Sequence, residues 1–172
     1  MVSSLRARTL AWLAPEHGLR CHRRRWTSIV AELARRSDAV RESGAFLLGR
    51  RWGVRREVLD VVYYDDLAPD ALAHGDIVFP RHAYGPLWRI CRARNLAVVA
   101  DVHTHPGRAW QSRVDRDHPM IVERGHLALI LPRYAQAPCA DTEIGLYEYL
   151  GGKQWRDHSG TTVSRFFLRT FL

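Results

Sequence analysis

The stretch DVHTHPGRAWQSRVD, Asp101 to Asp115, sets two histidines, a serine and two aspartates close together. Residues i and i+2 of a strand point to one face, so His103 and His105 project together with Thr104 opposite. Their Cβ atoms would lie ~7 Å apart, a span across which two imidazoles can converge on one ion. Pro106 and Gly107 end the strand, which puts the pair at its carboxyl end, where open α/β sheets place their sites. Asp115 can fold back over the loop and add an oxygen. Two nitrogens and one carboxylate leave a fourth tetrahedral position for water, the ligand count of a catalytic zinc. The alternative is a histidine pair that is only hydrogen-bonded at a strand end, the commoner reading of an H-x-H taken alone. Asp101 shares the face of His103 and either orients its imidazole or caps a neighbouring backbone group.

A site of this kind needs a rigid frame. AVVADVHTH reads as a strand whose early part is continuously apolar, as in a strand covered on both faces. PRHAYGPLWRICRARNL, just upstream, reads as a helix with Leu87, Ile90 and Cys91 on one face, Pro80 near its start and Asn95 near its end. WTSIVAELARRSDAVRESG places Ile29, Val30, Leu33, Ala34 and Val40 at near-helical spacing, with Thr27 or Ser28 as a cap. GAFLLGRRWG and EVLDVVYYDDL form two strands around the Gly-containing hairpin RRWGVRR. HLALILP and TEIGLYEYLG follow the loop as further strands, and TTVSRFFLRTFL fits strand or helix. The pattern predicts one mixed α/β domain over residues 26–172, with an arginine-rich segment 1–25 that either precedes the domain or is part of it.

The chain of 172 residues is long enough to bury one core. Its 47% hydrophobic content argues against disorder. No apolar run approaches the ~18 residues of a membrane span, so no membrane partner is expected. The net charge is +8 and Lys153 is the only lysine, a bias that reflects codon composition or a basic face for an acidic partner. Cys21, Cys91 and Cys139 are too few and too scattered for a disulfide framework or a cysteine-rich zinc site. His17, Cys21 and His22 lack a fourth ligand and read as surface residues. These features point to a reducing cytoplasm. LAWLA is too short for a secretory apolar core. The six tryptophans are expected mostly in the core.

HTHP and SRVD, with ESGAFLLG some sixty residues upstream, together resemble the JAMM motif of the JAB/MPN zinc metalloprotease family. That motif runs Glu, then H-[ST]-H-P, then S-x-x-D. The likeness extends over about residues 27–150 and includes GHLALILP after the loop. It implies the JAB/MPN (cytidine-deaminase-like) fold, with zinc held by His103, His105 and Asp115. It also implies that Glu42 is the general acid/base and that Ser112 steadies the oxyanion. A carboxylate beside the attacking water can take its proton and return it to the leaving amine. A hydroxyl aimed at developing negative charge is worth roughly 3 kcal/mol. The chain departs from the pattern twice. GRAWQ, before Ser112, is one residue shorter than the family spacing, which would turn Ser112 or Asp115 away. Ala45 stands where the family often has glycine.

The resemblance further implies an isopeptidase or peptidase that cuts after the carboxyl tail of a ubiquitin-like protein. The compact chain resembles stand-alone bacterial members, which accompany activating and conjugating enzymes, some in antiphage defence operons. Three rivals stay open: a hydrolase acting on a sulfur-carrier protein, a metal-free scaffold module, and a basic nucleic-acid-binding protein. The intact Glu–His–His–Asp set argues against the scaffold module; in the nucleic-acid rival the histidines are incidental or belong to a nuclease, and nucleic acid is not the expected partner. His118, His126 and His158 show no spacing for a second metal. Trp110, inside the loop, would touch a substrate tail or pack beneath the loop.

Overall fold

The computed structural model describes residues 18–73, 77–163 and 167–170. Its strands are β1 Leu19–His22, β2 Gly44–Trp52, β3 Arg55–Tyr63, β4 Ala97–Thr104, β5 Leu127–Leu131, β6 Gly145–Gly151, β7 Gln154–Asp157 and β8 Phe167–Thr170. They form one mixed sheet in the order β7-β6-β5-β4-β2-β3-β1-β8. β4 lies near its middle, antiparallel to β2 and parallel to β5. The described α-helices are α1 (Arg23–Ser37), α2 (Tyr64–Leu67), α3 (Tyr84–Arg94) and α4 (Arg113–Asp117), with short 3-10 turns between elements.

Strand β2 shows how the sheet is covered. Ala45 and Leu47 pack with Trp26, Ile29 and Leu33 of α1, whereas Phe46 and Leu48 pack with Leu87 and Cys91 of α3. An apolar run with residues alternating between two cores has helices on both faces. Asn95 closes α3 in the left-handed conformation at φ 51°, the role expected of it at the helix end.

Several expectations need correction. Helix α1 starts at Arg23, and its cap is His22, whose Nδ1 accepts from the Arg24 N–H, rather than Thr27 or Ser28. Residues 19–22 form β1 and residues 23–25 open α1. Residues 1–17 lie outside the described residues. Cys21 is fully buried rather than on the surface, because β1 runs between β3 and β8. The expected second strand stops at Tyr63, and YDDL turns into α2. Within TTVSRFFLRTFL, Thr161 and Thr162 lie in a short 3-10 turn and Phe167–Thr170 form β8. Among the described tryptophans only Trp26 is buried; Trp52, Trp88 and Trp110 are exposed. No helix among the described residues is long and apolar enough to cross a membrane.

Candidate metal centre

A β-bulge aims the histidines. Along the β2–β4 pair Leu47 faces Ala100 but Leu48 faces Val98, so Val99 is the extra residue. Val98 belongs to the α3-side core, and without the bulge Asp101 and His103 would face the α1 core. The bulge reverses that alternation and sets Asp101 opposite Phe46 and His103 opposite Gly44 on the α3 side. A Cβ on Gly44 would lie 2.2 Å from Cε2 of Tyr64, so glycine is needed where that buried ring closes over the strand. Gly49 has a comparable role: its Cβ would lie 1.7 Å from the Glu57 carbonyl, where β3 carries a bulge of its own.

Beyond β4 the backbone of His105 is held on both sides. Its N–H donates to Leu131 O at 2.9 Å, and its carbonyl accepts from Tyr134 N–H at 2.8 Å. Tyr134 is the centre of three consecutive left-handed non-glycine residues, Arg133 (φ 54°), Tyr134 (φ 53°) and Ala135 (φ 58°). Each costs roughly 1–2 kcal/mol in this region. The same turn reaches Gly107 through Arg133 N–H, and its Tyr134 carbonyl accepts from Ser37 Oγ. This strained turn is thus tied by three hydrogen bonds to His105, to Gly107 and to the end of α1. Further on, Tyr147 OH donates to Ala109 O at 3.2 Å, and Gly145 allows that carbonyl to approach.

The loop delivers Asp115 at α4. Ser112 caps that helix: its Oγ accepts from Asp115 N–H at 3.1 Å, and Asp115 Oδ2 accepts from Ser112 N–H at 2.7 Å. This reciprocal box fixes the aspartate in spite of the shortened GRAWQ. Nε2 of His103 and of His105 are 3.0 Å apart. Asp115 Oδ1 lies 3.3 Å from His103 Nε2, and Oδ2 lies 3.3 Å from His105 Nε2. Ligand atoms at ~2.0–2.1 Å around a tetrahedral zinc stand about 3.3–3.4 Å from one another. Two imidazole nitrogens and one carboxylate at these separations fit a divalent metal ion, and one donor atom from each of the three side chains converges on a common point.

Glu42 arrives from the other side. Ser43 N–H donates to Thr104 Oγ1 at 3.0 Å and Ser43 Oγ donates to Leu33 O at 2.8 Å, which locks the residue after it. Glu42 Oε1 then lies 3.6 Å from His105 Nε2, beside the three-ligand set. All five residues singled out in the sequence meet here, with Ser112 engaged as the cap of α4.

The electrostatics couple the histidine pair to the two aspartates beside it. Burial opposes the charged form of His103, but Asp101 and Asp115 outweigh it and lift the imidazole to about 10. Burial also opposes ionisation of Asp115, and the two imidazoles, aided by the hydrogen bond to Ser112, hold its carboxyl far below the usual range.

Spacing did not reveal His126. It is fully buried, and its Nε2 lies 2.6 Å from Asp101 Oδ1. Gln111 was missed as well: its Nε2 is buried beside Ser112 without a partner among the described residues, in the wall of a groove of about 940 Å³. That groove opens from Glu42, His103 and Asp115 and is bordered by Phe79, Trp88 and Val122. Trp110 does not pack beneath the loop; it is 66% exposed, with the Arg108 guanidinium 5.1 Å from its ring centre.

No protein-family model matches the chain. Over 72 residues it is 28% identical to the probable metalloprotease y4jG of Sinorhizobium fredii (strain NBRC 101917 / NGR234), a match spanning 42% of this chain and 44% of that protein. The chain thus matches less than half the length of that relative. Protein DSY2949 from Desulfitobacterium hafniense superposes with a TM-score of 0.59 at 17% identity, covering 82% of this chain and 90% of that one. A protein from Salinibacter ruber (strain DSM 13855) does so with a TM-score of 0.58 at 15% identity, covering 88% and 91%. These two likenesses show a shared mixed α/β fold.

Proposed function

We propose that this chain is a JAMM-type metallopeptidase of the JAB/MPN fold, which uses zinc to cut the bond after the carboxyl tail of a ubiquitin-like protein. The observation that carries the reading is the convergence of His103, His105 and Asp115 with Glu42 beside them. The name of the partial relative, a probable metalloprotease, supports the same class. His103, His105 and Asp115 would hold the zinc ion, which would supply Lewis-acid chemistry toward the scissile carbonyl and toward water.

The chain's own residues do the rest. Glu42, held by the Ser43–Thr104 bonds, takes the proton of the attacking water and gives it to the leaving amine. Ser112 Oγ accepts from Asp115 N–H, so its hydroxyl proton stays available for the carbonyl oxygen as negative charge develops. The groove receives the extended tail, and its volume lies near the upper end of the ~300–1,000 Å³ usual for ligand sites. The partners are then a ubiquitin-like protein and its conjugates.

Metal content, measured beside cleavage of a ubiquitin-like precursor fusion, tests this reading. Wild type is expected to hold one zinc per chain, His103→Ala to lose it, and Glu42→Ala to keep it while losing at least ~100-fold in kcat. A metal-free wild type prepared without chelator, or an active Glu42→Ala, overturns the reading.

A further inference from the structure

His126 is a fully buried histidine outside the ligand set, and its ring makes one polar contact. Nε2 meets Asp101 Oδ1 at 2.6 Å, while Nδ1 is buried without a partner among the described residues. Asp101 is itself only 2% exposed, and its other oxygen, Oδ2, receives Tyr64 OH at 3.5 Å. The same Oδ2 lies 3.8 Å from Nδ1 of His103, which has no hydrogen-bond partner among the described residues. That spacing is longer than a hydrogen bond, yet it leaves Asp101 as the acceptor facing this nitrogen. A line of buried groups thus runs from β5's leading edge to the metal centre. A buried carboxylate is retained where hydrogen bonds and charge compensate its desolvation. His126 and Tyr64 provide that compensation on the side away from the metal ligands.

We propose that His126 and Asp101 are positioning residues that set the tautomer and ring orientation of His103. His126 donates from Nε2 to Asp101, and Asp101 accepts from Nδ1–H of His103. The Nε2 lone pair of His103 is then directed toward Asp115 and His105. Ligand histidines are commonly oriented by a carboxylate in this way, and loss of such a partner weakens metal affinity by roughly 10–100-fold. The assignment extends the chain one residue further, to a histidine 23 positions beyond His103 that no motif spacing marks. It rests on the metal-site reading above.

The test is zinc affinity of the full chain, read by competition with a chelator, together with the absorption spectrum of the cobalt-substituted protein. Asp101→Asn is expected to raise the zinc Kd by roughly 10–100-fold. His126→Phe, which keeps a ring but removes the donor, should raise it about tenfold and alter the cobalt spectrum. His126→Gln places a donor amide near the same point and should restore both properties. Folded Asp101→Asn and His126→Phe proteins with wild-type Kd and spectrum overturn the inference. If neither variant folds, nitrogen NMR of the zinc-loaded wild type decides. Nδ1–H on His103 supports the assignment, and metal at Nδ1 with Nε2–H overturns it. A wild type that binds no zinc sinks the metal-site reading itself, an outcome distinct from bound zinc that ignores Asp101 and His126.

Discussion

The histidine pair means little until a third donor reaches it, and that donor depends on a helix cap. Ser112 is exposed, and both bonds of its capping box involve Asp115. Replacing a serine cap by alanine costs about 1 kcal/mol of helix stability. Here the helix has five residues, so the cap is a large share of what orders it. Ser112→Ala is therefore expected to weaken zinc binding several-fold as well as to slow cleavage. Ser112→Asp, which can still cap, should recover affinity without recovering rate. Zinc competition beside kcat separates the two effects; unchanged affinity in Ser112→Ala would mean that Asp115 is held by other contacts. The residue types and their order were legible in the sequence because ligand chemistry limits which side chains serve. The cap role of Ser112 was not, because its spacing fits an oxyanion donor equally well. The partner of Asp101 was hidden too, since His126 joins it only through the pairing of β5 with β4, where Asp101 stands opposite Ala128.

At the scale of elements, the strands and helices that carry the site were readable from their periodicity, and the devices that aim it were not. The run AVVADVHTH announces a buried strand, but an apolar run gives no sign that Val99 is an extra residue. The bulge is defined by where β2 pairs, a contact some fifty positions away. The left-handed turn at 133–135 was equally hidden, since Arg, Tyr and Ala do not advertise positive φ. The close approach at Gly145 allows a direct test. A Cβ there would lie 2.1 Å from the Ala109 carbonyl and 2.9 Å from the Tyr147 ring. Gly145→Ala must push the metal loop off β6, at a cost of roughly 1–3 kcal/mol. The expected outcome is a lower melting temperature together with weaker zinc binding, because the displaced segment leads directly to Ser112 and Asp115. Gly152→Ala, at a turn where a Cβ meets nothing within 4 Å, should leave zinc affinity unchanged.

Across the whole molecule the centre links metal, protons and stability. Without metal, His103 is raised from an ordinary 6.5 to about 10 by Asp101 and Asp115, against the opposing effect of burial. A raised basic group stabilises the fold fully below its unfolded value and loses that contribution as pH climbs toward its folded value. The metal-free protein should therefore weaken between about pH 6.5 and pH 10. Zinc acts in the opposite sense, since it needs the imidazole deprotonated and must displace that proton. Its stabilisation should accordingly be small near pH 6 and grow as pH rises. At a free zinc concentration of one hundred times Kd it contributes about 2.7 kcal/mol, or a shift of about 5–10 °C in a chain of this size. Thermal melts with and without chelator at pH 6 and pH 8.5 check this. The two curves should nearly coincide at the lower pH and separate at the higher one, with one proton released per zinc in a weakly buffered titration near neutrality. Coincident melts at pH 8.5 would show that the cluster of His103, His105 and Asp115 is held by its own proton-bearing contacts and not by a metal.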